Sequence, residues 1–348
     1  MTKRSDKTSI LDKIFGAANS YSGFKSSFDK IFNPENYTKL FILKGGPGTG
    51  KSTLMKRIAD YGKDRALEVT LVYCSSDPDS LDGVILSVGD KKIAVIDGTA
   101  PHTQDPIYPG AAEEIINLGD SFDIAKLESH RDEIITLGKD KSRYYKGAYS
   151  LLCAAGEVGK QICNNIVINE DYFKADAKIS DCFALLKKEK KFKEAKQSYI
   201  ASFSKHGYKK LPTDTVGKTQ INLSGEPLSC YLFMNEIKKK ASELSVIEEL
   251  CPSPLTPEIT DRIYTDTLVF TVNEGERSDI SLPPIKTSEL HDDIFKSLRS
   301  LLSSAVDCLA RASECHFKME KIYIGAMNFE RNDLTLRELI ARLDKIFV

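Results

Sequence analysis

An α/β fold built twice along the chain follows from three features of the sequence. Short apolar runs end in glycine- or aspartate-rich loops, helix-period stretches follow them, and the order of these blocks recurs in degraded form in the second half. Each repeat is expected to hold a mainly parallel sheet with helical additions. A chain of 348 residues is long for one hydrophobic core, so two domains are the natural division.

The first informative block is Leu40, Phe41, Ile42 and Leu43, an apolar run that predicts a buried parallel strand. It leads straight into Gly45, Gly46, Pro47, Gly48, Thr49, Gly50, Lys51 and Ser52, which satisfy the G-x-x-x-x-G-K-[ST] pattern of a P-loop, or Walker A motif. Leu54, Ile58 and Tyr61 then fall at i, i+4 and i+7, one face of a helix. Strand, glycine loop and helix are the context the motif requires.

The residue types match the chemistry. Glycines let successive backbone N–H groups turn inward around phosphate oxygens, and the helix N-terminus adds partial positive charge. Lys51 is expected to reach the β- and γ-phosphates, and the Ser52 hydroxyl to ligate Mg²⁺.

Two further strands supply carboxylates. Val69 to Tyr73 predicts a strand leading into an aspartate-rich loop with Asp77 and Asp79. Both acids are candidates to orient water, activate a substrate hydroxyl or help hold the metal, and they equally suit an Asp-Pro turn. Ile93 to Ile96 predicts another strand ending at Asp97, a candidate metal ligand at the C-terminal sheet edge. His102 follows. It reads as a surface-loop histidine, with sensing of the γ-phosphate as the lesser alternative.

These blocks, together with Tyr108-Pro109-Gly110 and Glu114 to Gly119, resemble a little-characterised bacterial family of tandem P-loop ATPases. The resemblance implies ATP binding and a P-loop in each half. This sequence departs from that pattern in its second half.

There, Leu223 to Pro227 match Leu43 to Pro47 at an offset of 180, and Phe233, Met234 and Ile237 match Leu54, Met55 and Ile58 at 179. Leu268 to Thr271 match Ile93 to Ile96 at 175, and helical positions Leu302 to Tyr323 match Tyr145 to Ile166 at 157. Cys230, Tyr231 and Leu232 stand where Lys-Ser is needed, and Val272 replaces Asp97. The positions of Asp77 and Asp79 become Pro254 and Thr256. The second repeat is therefore expected to be structural or regulatory, without phosphate chemistry.

No proline lies between Pro109 and Pro212 or after Pro284, so each half is expected to end in long helices. Tyr145, Ala148, Leu152 and Ala155 predict a helix packed on another helix. Lys187 to Glu194 reads as a solvated helix face of mixed charge. The expected organisation is a lead segment 1–36, an active P-loop domain 37–205 and a degenerate repeat 206–348.

Composition narrows the function classes. The net charge of −1 gives no global bias toward nucleic acid. A nucleic-acid surface at the lysines of Lys187 to Lys196 is the lesser reading, because neighbouring glutamates weaken the basic field. No run approaches a membrane span and no apolar targeting region follows the N-terminus, so a cytoplasmic protein is expected. Eight cysteines without a CxxC pair read as reduced thiols. The expected function is Mg²⁺-dependent ATP binding and hydrolysis, with Lys51, Asp97, Asp77 and Asp79 in catalysis and an unidentified protein partner allowed. Alternatives are a small-molecule or nucleotide kinase using Asp77 or Asp79, and a slow nucleotide-dependent switch. ATP over GTP rests on the resemblance and on the lack of an N-K-x-D guanine signature.

Overall fold

The computed structural model describes residues 11–165, 177–212, 217–256, 258–272, 278–282 and 289–347. Its first sheet has the order β1 (Leu11–Phe15), β5 (Glu68–Tyr73), β6 (Leu81–Val88), β7 (Lys91–Asp97), β4 (Lys39–Lys44) and β8 (Glu113–Asn117). All pairings are parallel except those of β6, which runs against both neighbours. The second sheet is β9 (Lys196–Gln197), β13 (Glu249–Pro252), β14 (Thr260–Tyr264), β15 (Leu268–Val272), β12 (Thr219–Gly225) and β16 (Ile280–Leu282). It repeats both the order and the direction of every pairing, with β14 as its reversed strand. The chain is thus a doubled α/β protein with two mixed, mostly parallel sheets.

The strand of Leu40–Leu43 is β4, with all four side chains buried. The helix after the glycine loop is α2 (Lys51–Asp64), which follows the short α1 (Phe28–Ile31). It buries Leu54, Ile58 and Tyr61, as their spacing predicts. Strand β6 is an addition: the sequence reading passes from the aspartate-rich loop directly to β7. A turn at Gly89, with φ of +59°, folds β6 back onto β7.

Residues 11–36, expected as a lead segment, supply edge strand β1 and the hairpin β2 (Ala17–Ser20)–β3 (Gly23–Ser26). The matching hairpin of the second repeat is β10 (Ala201–Ser204)–β11 (Gly207–Lys210), so that repeat's β9 and β10 lie ahead of residue 206.

Long helices join the halves. After the short α3 (Ile124–Ser129) comes α4 (Arg131–Asn165), which packs along α7 (Glu289–Gly325). Ala148 and Leu152 of α4 share a buried cluster with Ala305 and Leu309 of α7, their own partners in the repeat. Equivalent residues therefore meet across a pseudo-twofold axis.

The helices that follow are exchanged. From the first half, α5 (Ala177–Leu186) places Ile179, Cys182 and Leu186 in the core of the second sheet, against α6 (Pro227–Leu244). From the second half, α8 (Phe329–Phe347) places Leu336, Leu339 and Leu343 in the core of the first sheet, against α2.

Lys187 to Glu194 is not helical, because α5 ends at Leu186. Glu189 anchors this segment by accepting hydrogen bonds from Thr265 Oγ1 at 2.6 Å and the Thr267 amide at 2.7 Å. All eight cysteines are free thiols. Among the described residues no helix is long and apolar enough to cross a membrane.

Candidate functional site

The loop between β4 and α2 carries Gly48 and Gly50 at φ of +70° and +82°, left-handed conformations that glycine adopts without strain. Gly50 is the N-cap of α2, and no side chain caps that helix end. The first-turn amide groups are thereby left without the usual side-chain acceptor. Lys51 folds back over the loop, its Nζ donating to Gly45 O at 3.0 Å and Gly46 O at 2.8 Å. Thr49 Oγ1 donates to Gly46 O at 2.9 Å and braces the turn.

Parallel register carries Asp97 to this loop. Asp97 at the end of β7 pairs with Leu43 of β4, two residues before Gly45. Its Oδ2 lies 3.6 Å from Lys51 Nζ, and its Oδ1 accepts from the Thr99 amide at 2.8 Å and hydroxyl at 2.6 Å. The Ser52 hydroxyl accepts from the Leu81 amide at 2.9 Å, which ties the aspartate-rich loop to the start of α2. Ser52 and Asp97 thus provide a hydroxyl and a carboxylate flanking Lys51, a donor set that suits Mg²⁺ completed by phosphate oxygens and water. Among the described residues, no group of three or more His, Cys, Asp or Glu side chains gathers to hold a metal alone.

The two aspartates of the loop part company. Asp77 pairs with Lys205, Oδ1 to Nζ 3.6 Å, and is 39% exposed. Asp79 is exposed and lines a groove along α2 with Lys56, Lys63 and Tyr73. His102 corrects the sequence reading: it is buried, not a surface residue. It stacks on Phe28 with centroids 4.0 Å apart, and its Nε2 lies 3.1 Å from Asp82 Oδ2.

Several residues of the site carry no motif. The end of α7 and the start of α8 cover the glycine loop: a Cβ at Gly46 would come within 2.7 Å of the Tyr323 ring, and one at Gly48 within 2.9 Å of Glu320 O. Asn332 Nδ2 donates to Thr49 O at 2.7 Å. Burial raises the pKa of Glu320, and Asp77 adds to the rise. Burial also pushes His316 down to about 4, assisted by the ammonium groups of Lys141, Lys51 and Lys205. These residues lie on helices distant in sequence, and the packing of α7 and α8 against the first half brings them to the loop.

The second repeat shows what has been lost. Between β12 and α6 stands only Glu226, in place of the glycine loop. Its Oε2 accepts from the Ser229 amide at 3.0 Å and caps α6, so a carboxylate of the chain occupies the end of this helix. Val272 pairs with Leu223 as Asp97 pairs with Leu43, which supports its assignment as the counterpart of Asp97.

The counterparts of Asp77 and Asp79 need correction. Cys74 N to Ser80 O and Ser80 N to Asp77 O are repeated as Ser253 N to Ile259 O and Ile259 N to Thr256 O. The offset is 179, so Asp77 corresponds to Thr256 and Asp79 to Glu258. A register shift falls at the matching position, Val72/Tyr73 and Cys251/Pro252, in both repeats.

Among known protein families, residues 24–88 match the one described as Nephrocystin 3, N-terminal. The match runs from β3 through the glycine loop to β6, well short of half the chain, and that family is distinct from the tandem ATPases the motifs resemble. No curated protein matches the chain, and no solved structure does.

Proposed function

We propose that the first half binds Mg²⁺-ATP in a P-loop formed by residues 45–52 and hydrolyses it, while the second half binds no nucleotide. One contrast carries this reading. The end of α2 is glycine-flanked, free of a side-chain cap and overlaid by Lys51, whereas the matching end of α6 is closed by the carboxylate of Glu226. In this reading the loop amides and Lys51 hold the β- and γ-phosphates. Ser52 and Asp97 hold the metal, and Asp77 faces the terminal phosphate. Bound Mg²⁺ supplies charge neutralisation of the triphosphate. The resemblance to tandem P-loop ATPases supports ATP as the nucleotide.

A second reading, a slow nucleotide-dependent switch, is favoured by the cover over the loop. Tyr323, Glu320 and Asn332 touch the segment that would wrap phosphate, so nucleotide entry would be coupled to the α7–α8 corner. The kinase reading rests on Asp77 as the base, since Asp79 lines the groove along α2.

Purified protein with Mg²⁺-ATP, assayed together for free phosphate and for labelled transfer products, separates these readings. Free phosphate that disappears in Lys51→Ala supports hydrolysis, and stable bound ATP supports the switch. Wild-type turnover in Lys51→Ala refutes the P-loop assignment.

A further inference from the structure

Resting on the triphosphate reading, we infer that the degenerate second half donates a catalytic cation, Lys205, which contacts the terminal phosphate of the nucleotide held by the first half. Lys205 is the tip of the β10–β11 hairpin, at the turn before Gly207. It packs on Phe317 of its own half and from there reaches Asp77 of the first. Its ammonium lies 3.6 Å from Asp77 and 4.4 Å over the Phe317 ring, with its side chain only 18% exposed.

Three observations place this tip beside the phosphate loop. The aspartate-rich loop that holds Asp77 is tied to the start of α2 by the Leu81 amide on Ser52 Oγ. Phe317, beneath Lys205, lies one turn along α7 from Glu320, whose carbonyl abuts Gly48. One turn is about 5 Å along the axis, within the span of a phosphate chain laid over the loop. The hairpin is also seated firmly: Ser202 Oγ donates to Ser75 O at 3.0 Å, and Asn19 Nδ2 donates to Phe203 O at 2.8 Å.

The repeat provides an internal control. The equivalent hairpin tip of the first half is Tyr21, before Gly23, and it reaches across in the same way. Its amide donates to Pro254 O at 2.9 Å in the β13–β14 loop of the second half. The tip that faces the half with Lys51 carries a cation, and the tip that faces the half without it carries a neutral ring. A requirement of the scaffold alone would fall on both tips, whereas a charge needed only where a triphosphate binds falls on one.

In hydrolysis, attack by water forms the new P–O bond as the bond to the leaving β-phosphate oxygen breaks, and both protons of the water leave with the product as dihydrogen phosphate. Lys205 enters no covalent step. It exchanges Asp77 for the γ-phosphate oxygens and stabilises charge that grows on them.

The test uses the full chain carrying Lys205→Met, Lys205→Gln or Lys205→Arg, with Lys51→Ala as reference. Affinities for ADP and for a non-hydrolysable ATP analogue are measured with Mg²⁺, alongside phosphate release and thermal midpoint. Lys205→Met is expected to cut turnover by roughly 100-fold and to weaken the analogue while leaving ADP unchanged, with partial recovery in Lys205→Arg. A merely structural role would move both affinities together. Should Lys205→Met fold poorly, Lys205→Gln carries the comparison. Equal loss of ADP and analogue binding, or wild-type turnover in Lys205→Met while Lys51→Ala is inactive, overturns the inference and leaves the P-loop reading standing. Wild-type protein that binds neither nucleotide overturns both.

Discussion

Replacing Leu339 with alanine tests whether α8, the last helix of the second half, is part of the first half's core. Leu339 is 1% exposed and shares its cluster with Met55 and Ile58 of α2 and with Val84 and Val95 of the sheet. Burying a leucine contributes about 1.5–3 kcal/mol, and the cavity left by truncation brings the loss to about 2–5 kcal/mol. Leu336 and Leu343 hold the helix on either side, so the void cannot collapse, and about 3 kcal/mol is expected. The exposed pair Arg57–Asp333 adds little, so packing decides the outcome. Urea unfolding followed by circular dichroism and by tyrosine fluorescence, in a chain without tryptophan, reads the effect. Both probes should shift together to a lower midpoint with unchanged slope. A loss below about 1 kcal/mol, or one confined to a transition that leaves the first half folded, would refute the exchange.

Three further outcomes follow from the site. Asp97→Asn keeps the size of the side chain but removes its charge, so Mg²⁺-dependent turnover should fall far more than metal-free nucleotide binding; an unchanged rate and metal requirement would place the metal elsewhere. Calorimetric titration with a non-hydrolysable analogue and Mg²⁺ should give about one site per chain, abolished by Lys51→Ala and indifferent to Glu226→Ala, whereas two tight sites would show that the capped end of α6 still takes phosphate. His316, depressed from 6.5 to about 4, stays neutral in the folded chain while the unfolded chain takes up its proton. Stability is therefore retained above pH 6.5 and lost as pH falls toward 4, by about 3 kcal/mol in full. The difference in urea midpoint between wild type and His316→Gln should follow that window, and parallel curves would exclude it.

The glycine loop and its flanking elements were legible because their signals are local. Leu40–Leu43 and the spacing of Leu54, Ile58 and Tyr61 each reflect burial on one element, and the structure buries all of them. Strand β6 escaped notice because Leu81 to Leu86 is buried on both faces and shows no alternation. Pairing Asp77 with Pro254 misses the structural counterpart Thr256, because hydrogen bonds of the hairpin, not side-chain types, define that register. His102 looked exposed because its loop is polar, yet Phe28 and Asp82 enclose it. The exchanged helices lay furthest from view. Periodicity reveals that a helix has an apolar face, but not which sheet that face will cover, and Leu339 reads the same on either one.

The exchange also governs when the site can exist during synthesis. Domains ordinarily fold in order as the nascent chain emerges. Here the sheet that leads into Lys51 emerges early, but its outer layer arrives with α8, the last helix of the second repeat. The Tyr61 hydroxyl must wait for Asp344, 283 residues later, and Thr49 waits equally long for Asn332. Closing such distant contacts is slow and costly in chain entropy. A ribosome-bound fragment would therefore display the glycine loop without the layer that shapes it, and an interrupted product would lack both a finished core and Tyr323 over Gly46. Synthesis of α8 becomes a condition for the covered glycine loop on which the proposed nucleotide site depends.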